Sequence, residues 1–495
     1  MWETIQASLG IVFQIKSILI IIFSTFMGIL IGVIPGLGSF VAIVMMIPFV
    51  MNLAPEVGLM AIIGIYVGGM YGGGIASAIL GIPGTPMAAA TLLDAHPMAE
   101  RGEAGKAIGL ITTASVCGGL ISAFILMIFS PLLARVALLF GPPEYTVLCI
   151  MGLSTVAILV TGSTVKGLIS AFFGLLVSTA GTDITTSFSR FTFGISELEA
   201  GIPLLPLLLG TFAVSRALLM IEEGIKIKKH PPKKLVPKYP SRKLVWRIKS
   251  TYIRSSLLGV FIGAIPGAGS TIAAYISYGE AKRRSKNPEE FGKGASEGVV
   301  APEAANNAEA GGAMIPMLTL AIPGDPQTAV ILGLLFVQGL IPGPNLYRDH
   351  GDLLYALFIG MVLCNVAMFF IGMYGTRLLL KLLMITKTTV LIPILLLLVT
   401  LGAYSITASI FDLWIMWSFG IVGYAMNKLK IPQPPIVLGV VLGPILEQAF
   451  RRSLAMSAGS PFIFFTRPLA LGLILFVIFL LFWTKFSRKG MADRT

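Results

Sequence analysis

Two short motifs repeat a pattern of proline, glycine and serine inside apolar segments. PGLGS runs from Pro35 to Ser39, and PGAGS runs from Pro266 to Ser270. Proline removes a backbone donor and ends a helix, and the glycines permit a tight turn. Ser39 and Ser270 are then expected to cap the helix that follows. Each motif predicts a helix N-terminus within an apolar segment, which favours binding of a carboxylate or a phosphate.

A second pair of motifs, IPGTP and IPGDP, predicts two more helix breaks. Thr85 takes the expected capping position in the first copy and Asp325 takes it in the second, each before a proline at the first helical position. An ionisable residue is costly in a membrane and usually has a function there. Asp325 is therefore predicted to bind a coupling Na⁺ or H⁺, and the alternative is a helix cap beside a wet cavity.

Tandem asparagines occur between the second-half motifs, in PEAANNAEAGG at 302–312. Asn306 and Asn307 share a helical face with Glu303, and their amides offer both donors and acceptors to a polar ligand. The alternative is a hydrogen-bonded helix break near the surface. The predicted substrate-binding residues are Gly36, Gly38, Ser39, Gly84, Thr85, Gly267, Gly269, Ser270, Thr271, Asn306, Asn307 and Gly324. Catalytic residues and metal ligands are not predicted.

The composition indicates which elements must position these motifs. The chain has 495 residues, of which 56% are hydrophobic and 12% are charged, and its mean hydropathy is +0.89. Soluble domains carry about 25% charged residues, so the composition predicts an all-α polytopic membrane protein. Eleven of the lysines and arginines lie in 226–254 and five in 282–293. The net charge of +13 is therefore expected to mark cytoplasmic loops, not a nucleic-acid partner.

A spanning helix needs about 20 apolar residues, and the sequence offers about 11 to 13 membrane segments. Four further apolar segments, at 39–51, 86–95, 271–281 and 326–341, are too short to span and are predicted to be discontinuous helices or re-entrant hairpins. The predicted spans are 9–34, 56–80, 106–130, 144–161, 163–181, 202–222, 252–265, 296–320, 353–383, 388–404, 409–427, 433–449 and 468–485.

The two sets of motifs indicate an internal duplication. Residues 28–39 match 259–270 at an offset of 231, and residues 71–86 match 311–326 at an offset of 240. The expected organisation is a first transmembrane repeat at 1–225, a basic cytoplasmic loop at 226–254, a second repeat at 255–467, and a C-terminal helix and tail at 468–495. With an external N-terminus the repeats are inverted, which is typical of secondary transporters.

Enzyme signatures are lacking. The sequence has no phosphate-binding loop of the G-x-x-x-x-G-K-[ST] type, and its three histidines cannot form H-E-x-x-H. An intramembrane enzyme would need a paired acid and base, which the sequence does not supply. The polar stretch from Asp94 to Lys106 is expected to be a solvated loop. A stand-alone carboxylate carrier or an anion channel stays open as an alternative to a transporter with partners.

These motifs resemble the large permease subunit of the tripartite tricarboxylate transporters, the TctA family. The resemblance rests on GVIPGLGS, YGGGIASAILGIPGTP, PEAANNAEAGG, AIPGDPQTAVILGLLFVQGLIPGP and PPIVLGVVLGPILEQAFRR, and it covers nearly the whole chain. Glu309 departs from the pattern, because a small residue is expected at that position.

The resemblance implies the permease subunit of a bacterial inner-membrane system driven by an ion gradient. The implied partners are a carboxylate substrate (citrate-like tricarboxylates or related carboxylates), a small four-helix membrane subunit, a periplasmic solute-binding protein and the lipid bilayer. The resemblance implies no cofactor other than Na⁺ or H⁺ as the coupling ion, and an oligomer is compatible with it.

Overall fold

The computed structural model describes residues 2–159, 163–183, 185–223, 236–385 and 388–478. The expectations for the end of the span at 144–161, for the start of the basic loop at 226–235 and for the tail at 479–495 lie outside the described residues. Five of the described helices are long and apolar enough to cross a membrane. The chain is therefore an all-α multi-pass membrane protein, with one two-stranded β-hairpin between helices.

Among the described residues, the first part of the chain holds ten α-helices and the β-hairpin. They are α1 (Trp2–Val12), α2 (Ile15–Gly32), α3 (Gly38–Val50), α4 (Pro55–Leu80), α5 (Ala88–Met98), α6 (Ala104–Ala137), α7 (Pro142–Leu159), α8 (Thr164–Ser178), β1 (Gly181–Thr182), β2 (Ser189–Arg190), α9 (Leu204–Leu208) and α10 (Ser215–Glu223). Short π-helical segments at Ala99–Glu103 and Leu209–Val214 join α5 to α6 and α9 to α10, and Ser196–Leu198 forms a 3₁₀ turn.

The second part of the chain continues with twelve α-helices. They are α11 (Arg242–Gly263), α12 (Gly269–Arg284), α13 (Ser296–Leu320), α14 (Pro326–Val337), α15 (Pro344–Asp349), α16 (Gly351–Phe370), α17 (Thr376–Ile385), α18 (Thr388–Thr407), α19 (Ile410–Lys428), α20 (Pro434–Met456), α21 (Ile463–Thr466) and α22 (Pro468–Ile478). A π-helical segment, Ile371–Gly375, joins α16 to α17, and Pro288–Glu290 forms a 3₁₀ turn. The predicted basic loop at 226–254 is helical from Arg242 onward.

Two helical hairpins, α2–α3 and α11–α12, contain the first pair of motifs. Each hairpin packs along a long buried helix, α4 in the first half and α13 in the second. The close approach depends on glycine, because a side chain at Gly32 would overlap the backbone of Gly69 and one at Gly263 would overlap the backbone of Glu309. The expected short segments are therefore present as helices that do not cross the bundle alone.

The same contacts recur in the two halves at the offsets of the sequence repeat. Gly28 lies against Ile65 as Gly259 lies against Ala305. The breaks after α4 and α13 also agree, because Gly84 lies against the carbonyl of Gly32, and Gly324 occupies the equivalent position beside Gly263. The backbone around the motifs thus follows one plan in both halves.

The long helices of the two halves run in opposite directions where they meet. Along α4 and α13, Gly74 lies beside the carboxyl group of Glu303, whereas Tyr66 reaches Glu309, so the residue numbers rise on one helix as they fall on the other. Helix α6, in contrast, runs parallel to α13, with Gly118 against Ala304 and Ser122 against Gly311. α13 is enclosed between these neighbours, and its residues from Gly298 to Thr319 are buried.

One end of the bundle, where α5 turns into α6 and where α11 begins, is strongly basic. A cavity of about 1230 Å³ opens there, and its lining includes seven basic residues: Arg101, Lys106, Arg247, Arg254, Arg284, Lys286 and Lys293. Asp94 was expected in a solvated loop, but that prediction is wrong. It is buried in α5 and accepts hydrogen bonds from the N–H groups of Gly292 (2.9 Å), Gly294 (2.7 Å) and Ala295 (2.7 Å). These hydrogen bonds tie α5 to the loop before α13.

The opposite end carries the β-hairpin and an ion-pair network. Arg190 contacts Glu447 at 2.8 Å, and Arg451 contacts both Glu447 (2.7 Å) and Asp183 (2.8 Å). The network joins the loop after α8 to the last turns of α20 around a cavity of about 800 Å³. This contact fixes the β-hairpin to the helix bundle.

Candidate functional site

The two hairpin tips form the turns that the proline–glycine motifs predict. Gly36 and Gly38 have φ of +88° and +67°, and Gly267 and Gly269 have φ of +77° and +69°, which only glycine adopts without strain. The predicted serine caps are wrong, since α3 and α12 begin one residue earlier, and neither N-cap position has a side-chain hydrogen bond. Because Gly38 and Gly269 are the first helical residues, the serines lie inside the first turn.

Buried Ser39 has a different role. Its Oγ accepts a hydrogen bond of 3.1 Å from Gln327 Nε2, on the first turn of α14. This contact links the tip of the first hairpin to the break of the second half. Ser270 is also buried, and Thr271 beside it is half-buried.

The breaks after α4 and α13 differ in their caps. Asp325 is the N-cap of α14, with a capping box in which Thr328 N–H donates to Asp325 Oδ1 at 2.7 Å and Pro326 takes the first helical position. Thr85 is not a cap, because α5 begins only at Ala88 and its N-cap position is Met87. The predicted cap is therefore confirmed for Asp325 and wrong for Thr85.

The hairpin tips and the breaks meet in both halves. Gly38 lies beside Thr85, so that a side-chain carbon there would be 3.5 Å from the threonine methyl group. In the second half the Gly267 N–H donates to the carbonyl of Gly324 at 2.8 Å. The structure thus brings the hairpin tip and the helix break of each half together.

Three predicted site residues carry buried polar atoms without a partner among the described residues: Thr85 Oγ1, both amide atoms of Asn306, and Asn307 Oδ1. We call Thr85, Asn306 and Asn307 the neutral group. The Asn307 amide nitrogen donates only to the Glu303 carbonyl, at 3.2 Å on the same helix. Burying a polar atom without a hydrogen bond is costly, so these atoms are expected to contact water or a bound polar ligand.

Thr85 and Glu303, which precedes the two asparagines on α13, contact neighbouring residues of α4. Thr85 contacts α4 at Gly73, and the Glu303 carboxyl group contacts it at the next residue, Gly74. Asn306 and Asn307 follow Glu303 by about one helical turn on α13, at about 1.5 Å of rise per residue. Glu303 itself is held by the hydroxyl groups of Thr91 and Ser115.

A second set of polar residues, Tyr66, Glu309 and Asp325, forms what we call the acidic cluster. The Tyr66 hydroxyl donates to Asp325 Oδ2 and lies 3.5 Å from Glu309 Oε2. All three side chains are buried. In the numbering of the repeat, Tyr66 corresponds to Asn306, and Asp325 corresponds to Thr85, so the two sets occupy equivalent places with different chemistry.

The first break is open and the second is covered. The side chain of Ile82 is 42% exposed, whereas Ile322, its counterpart, is 1% exposed. Leu148 and Met151 of α7 pack over Ile322. The isoleucines of the two breaks therefore differ in exposure in this conformation, whereas Thr85 and Asp325 are both buried.

Arg216 of α10 lies directly against the first hairpin tip. A side chain at Gly36 would overlap its guanidinium, so glycine is required for the contact. The same arginine lines a cavity of about 390 Å³ together with Glu222, Lys428 and Lys430. A half-buried positive charge beside the tip suits a site for an anion.

The sequence prediction missed Tyr66, Gln327 and Arg216. Tyr66 is detectable, because the offset of 240 pairs it with Asn306, which was predicted. Gln327 follows the predicted break by one residue, and no local pattern distinguishes it. Arg216 was only one of several arginines at the ends of apolar segments, and its place beside Gly36 depends on tertiary packing.

Known proteins resemble the chain over most of its length. The family model described as the tripartite tricarboxylate transporter TctA family matches residues 18–438. The chain belongs to this family. The TctA chain is thus a member of a transporter family, and in the described ranges no group of three or more His, Cys, Asp and Glu residues is placed to hold a metal ion.

Two relatives come from Agrobacterium vitis. An uncharacterized 52.8 kDa protein in the TAR-I ttuC' 3' region is 36% identical over 448 residues, which are 90% of this chain and 89% of the relative. An uncharacterized protein in the TAR-II ttuC' 3' region is 38% identical over 216 residues, which are 44% of this chain and 89% of that protein. None of the solved structures matches the chain.

Proposed function

We propose that this TctA protein is the permease subunit of an ion-gradient-driven secondary transporter that imports citrate-like tricarboxylates or related carboxylates. The neutral group carries the proposal, because Thr85, Asn306 and Asn307 hold buried polar atoms that lack partners among the described residues. A carboxylate would accept hydrogen bonds from the Thr85 hydroxyl and the Asn306 amide nitrogen, whereas the amide oxygens of Asn306 and Asn307 would accept from a substrate hydroxyl group or from water. Arg216, beside Gly36, would attract a second carboxyl group.

The energetics favour a site built from several elements. Removing a carboxylate from water costs several kcal/mol, whereas one helix N-terminus returns at most about 2 kcal/mol. The ends of α3 and α5 near Gly38 and Thr85, the amide of Asn306 and the charge of Arg216 together offset more of that cost than one element does. A multivalent anion would make use of all of them.

Inverted repeats are part of the same proposal. The equivalent contacts at Gly28 and Gly259 support a duplication, and the opposite directions of α4 and α13 support inversion. The first break is open while the second is covered, which suits a transporter that exposes its site to one side at a time. The basic end would face the cytoplasm of a cell whose inner membrane holds the protein.

A periplasmic solute-binding protein and a small four-helix membrane subunit are the proposed partners, as the family implies. The end that carries the β-hairpin would then face the periplasm, where the binding protein delivers the substrate. Asp325 would take part in binding the coupling ion. The cavity between the β-hairpin and α20 is an accessible surface at that end.

Uptake into vesicles tests the proposal. The panel is labelled citrate, isocitrate, succinate and malate, with the binding protein and the small subunit present or absent, under Na⁺ and proton gradients applied separately. Uptake that needs both partners and a gradient is expected. Passive uptake by the permease alone would indicate a stand-alone carrier or a channel instead, and no uptake of any panel member would contradict the proposed function.

A further inference from the structure

We propose that the acidic cluster is the site of the coupling proton and that Glu309 carries this proton. Glu309 Oε2 lies beside the Tyr66 hydroxyl, and its Oε1 has no partner among the described residues. The inference rests on the proposed transport function and makes it more specific. It assigns the coupling ion as H⁺ and assigns two residues, Glu309 and Tyr66, that the motifs did not indicate.

Asp325 is arranged to be ionised. Its Oδ1 accepts hydrogen bonds from the backbone N–H of Thr328 at 2.7 Å and from the Thr328 hydroxyl at 2.6 Å, and its Oδ2 accepts from Tyr66. All three contacts supply donors, and the N-terminus of α14 adds a partial positive charge. A carboxylate with these partners has no need of a proton of its own.

Glu309 is arranged differently. Its Oε1 has no partner among the described residues, and its Oε2 has only the Tyr66 hydroxyl at 3.5 Å. That hydroxyl has one proton, which it gives to Asp325. The contact with Glu309 is therefore a hydrogen bond only when Glu309 is protonated and donates to the Tyr66 oxygen. A protonated Glu309 completes a chain from Glu309 through Tyr66 to Asp325.

The surroundings leave the cluster without a positive charge to balance a second carboxylate. Tyr66 faces Glu309 from α4, Asp325 faces it from the start of α14, and Gly263 of α11 lies against it. Helices α6 and α12 also pack on α13, and α6 places Ser122 beside Gly311. Among the described residues, Tyr66 and Asp325 are the titratable groups that contact or interact electrostatically with Glu309. Glu303, on the same helix, is directed to Thr91 and Ser115. Two buried carboxylates this close share one proton, since both cannot be ionised together without a counter-ion.

A metal cation fits the cluster less well than a proton. Hard cations collect several oxygen ligands at once. Both oxygens of Asp325 already accept hydrogen bonds, and Glu309 Oε1 is the remaining unpartnered carboxylate oxygen of the cluster. The first half has Gly69 at the position of Glu309 and Thr85 at that of Asp325, so it has no equivalent pair of carboxyl groups at these positions. Loss of the proton from Glu309 leaves a carboxylate and one free H⁺, which balances the step.

Proteoliposomes that hold the complete system test the assignment, with the panel member that the wild type takes up fastest as the probe. Glu309→Gln should reduce proton-driven accumulation at least 10-fold and flatten its pH profile. Exchange of internal for external substrate, which needs no net proton movement, should fall less than 3-fold and so reports that the variant is folded. Glu309→Asp should keep the proton dependence at a lower rate.

Glu303→Gln is the matched control, because it removes a buried carboxyl group from the same helix and should leave accumulation dependent on the proton gradient. Proton-driven accumulation that persists in Glu309→Gln would overturn the inference while the transport function stands. Wild-type accumulation driven by a Na⁺ gradient alone would overturn it as well. A wild type that transports no panel member would contradict the proposed function itself, and the inference would fall with it.

Discussion

The two helix breaks share a backbone plan and differ in chemistry. The second break is covered by α7, and its Asp325 is fully hydrogen-bonded within the acidic cluster. The first break is open, and the hydroxyl of Thr85 has no partner in the part of the chain that the structure describes. The two breaks therefore present a hydrogen-bonded aspartate in one half and a threonine hydroxyl without a described partner in the other.

Three substitutions account for most of this difference. Between equivalent positions, Tyr66 becomes Asn306, Gly69 becomes Glu309, and Thr85 becomes Asp325. The glycines that set the turns are retained, since the hairpins need them to approach the long helices. In the proposed duplicated scaffold, the anion would bind at the neutral group and the proton would bind at the acidic cluster.

The largest effect is expected from Asn306→Asp, which puts a negative charge into the neutral group with little change in shape. Two unit charges 4 Å apart repel by about 4 kcal/mol at an effective dielectric constant of 20. Uptake of a carboxylate should fall at least 100-fold while the amount of protein in the membrane is unchanged. Asn365→Asp is the control, since Asn365 is buried between α6 and α16 beside Gly119. Equal losses in both variants would assign the effect to burial of a carboxyl group.

Two substitutions of Asp325 distinguish its role as a helix cap from its proposed role in ion coupling. Asn caps helices as well as Asp does, whereas Ala costs about 0.5–2 kcal/mol of stability. Asp325→Asn should therefore keep the thermal stability and lose at least 10-fold of the gradient-driven accumulation, and Asp325→Ala should lose both. Melting in detergent and uptake in vesicles measure the two properties. An Asp325→Asn variant with unchanged Na⁺ and pH dependence would leave Asp325 as a cap only.

Arg216, near the neutral group, is predicted to recognise a charged group of the substrate. Hydrogen bonds to charged groups contribute about 1.5–3 kcal/mol, and half-exposure of Arg216 reduces that value. Arg216→Gln should raise the KM for a tricarboxylate about 10-fold and that for a monocarboxylate much less. Kinetics with citrate and acetate compare the two. Equal changes for both anions would contradict a role of this arginine in charge recognition.

The smallest effect is expected at the β-hairpin. The carboxyl group of Asp183 there has hydrogen-bond partners, unlike the unpartnered atoms of the neutral group. The N–H groups of Thr185 and Thr186, with the Arg451 guanidinium, hold the pKa of Asp183 below its ordinary value. A lowered pKa in the folded state stabilises the hairpin above the unfolded value of about 3.9, and that contribution is lost as the pH falls through the folded value. The protection of the backbone amides at 181–183 and 185–190 against hydrogen exchange, relative to the intrinsic rate at each pH, should decrease below about pH 4. Arg451→Gln should weaken the dependence of this protection on pH. An unchanged pH profile would show that the ion pair between Arg451 and Asp183 does not stabilise the hairpin.

Much of this architecture follows from local sequence. Pro35 and Gly36 end one helix and turn the chain whatever surrounds them, and a repeated motif at Pro266 predicts the same turn. The four short segments and the cap at Asp325 followed from the same reasoning. These features depend on backbone conformation, which a few residues determine.

Other features depend on contacts between distant segments. Asp94 lies in a polar stretch that is typical of a loop, yet it is buried because three N–H groups near Gly294 converge on it. Ser39 bonds to Gln327 across 288 residues instead of capping its own helix. Glu309 stood out in the sequence only as a departure from the family pattern, and its contact with Tyr66 needed the packing of α4 on α13.

Substrate protection of a cysteine at position 85 tests the central claim most directly. In a chain with Cys117, Cys149 and Cys364 replaced by alanine, maleimide labelling of Thr85→Cys is followed with and without the transported carboxylate, and Ser196→Cys, at an exposed turn, serves as the control. We expect the carboxylate to slow labelling at position 85 at least 5-fold and to leave position 196 unaffected. Equal labelling rates at position 85 with and without substrate would contradict binding of the anion at the neutral group.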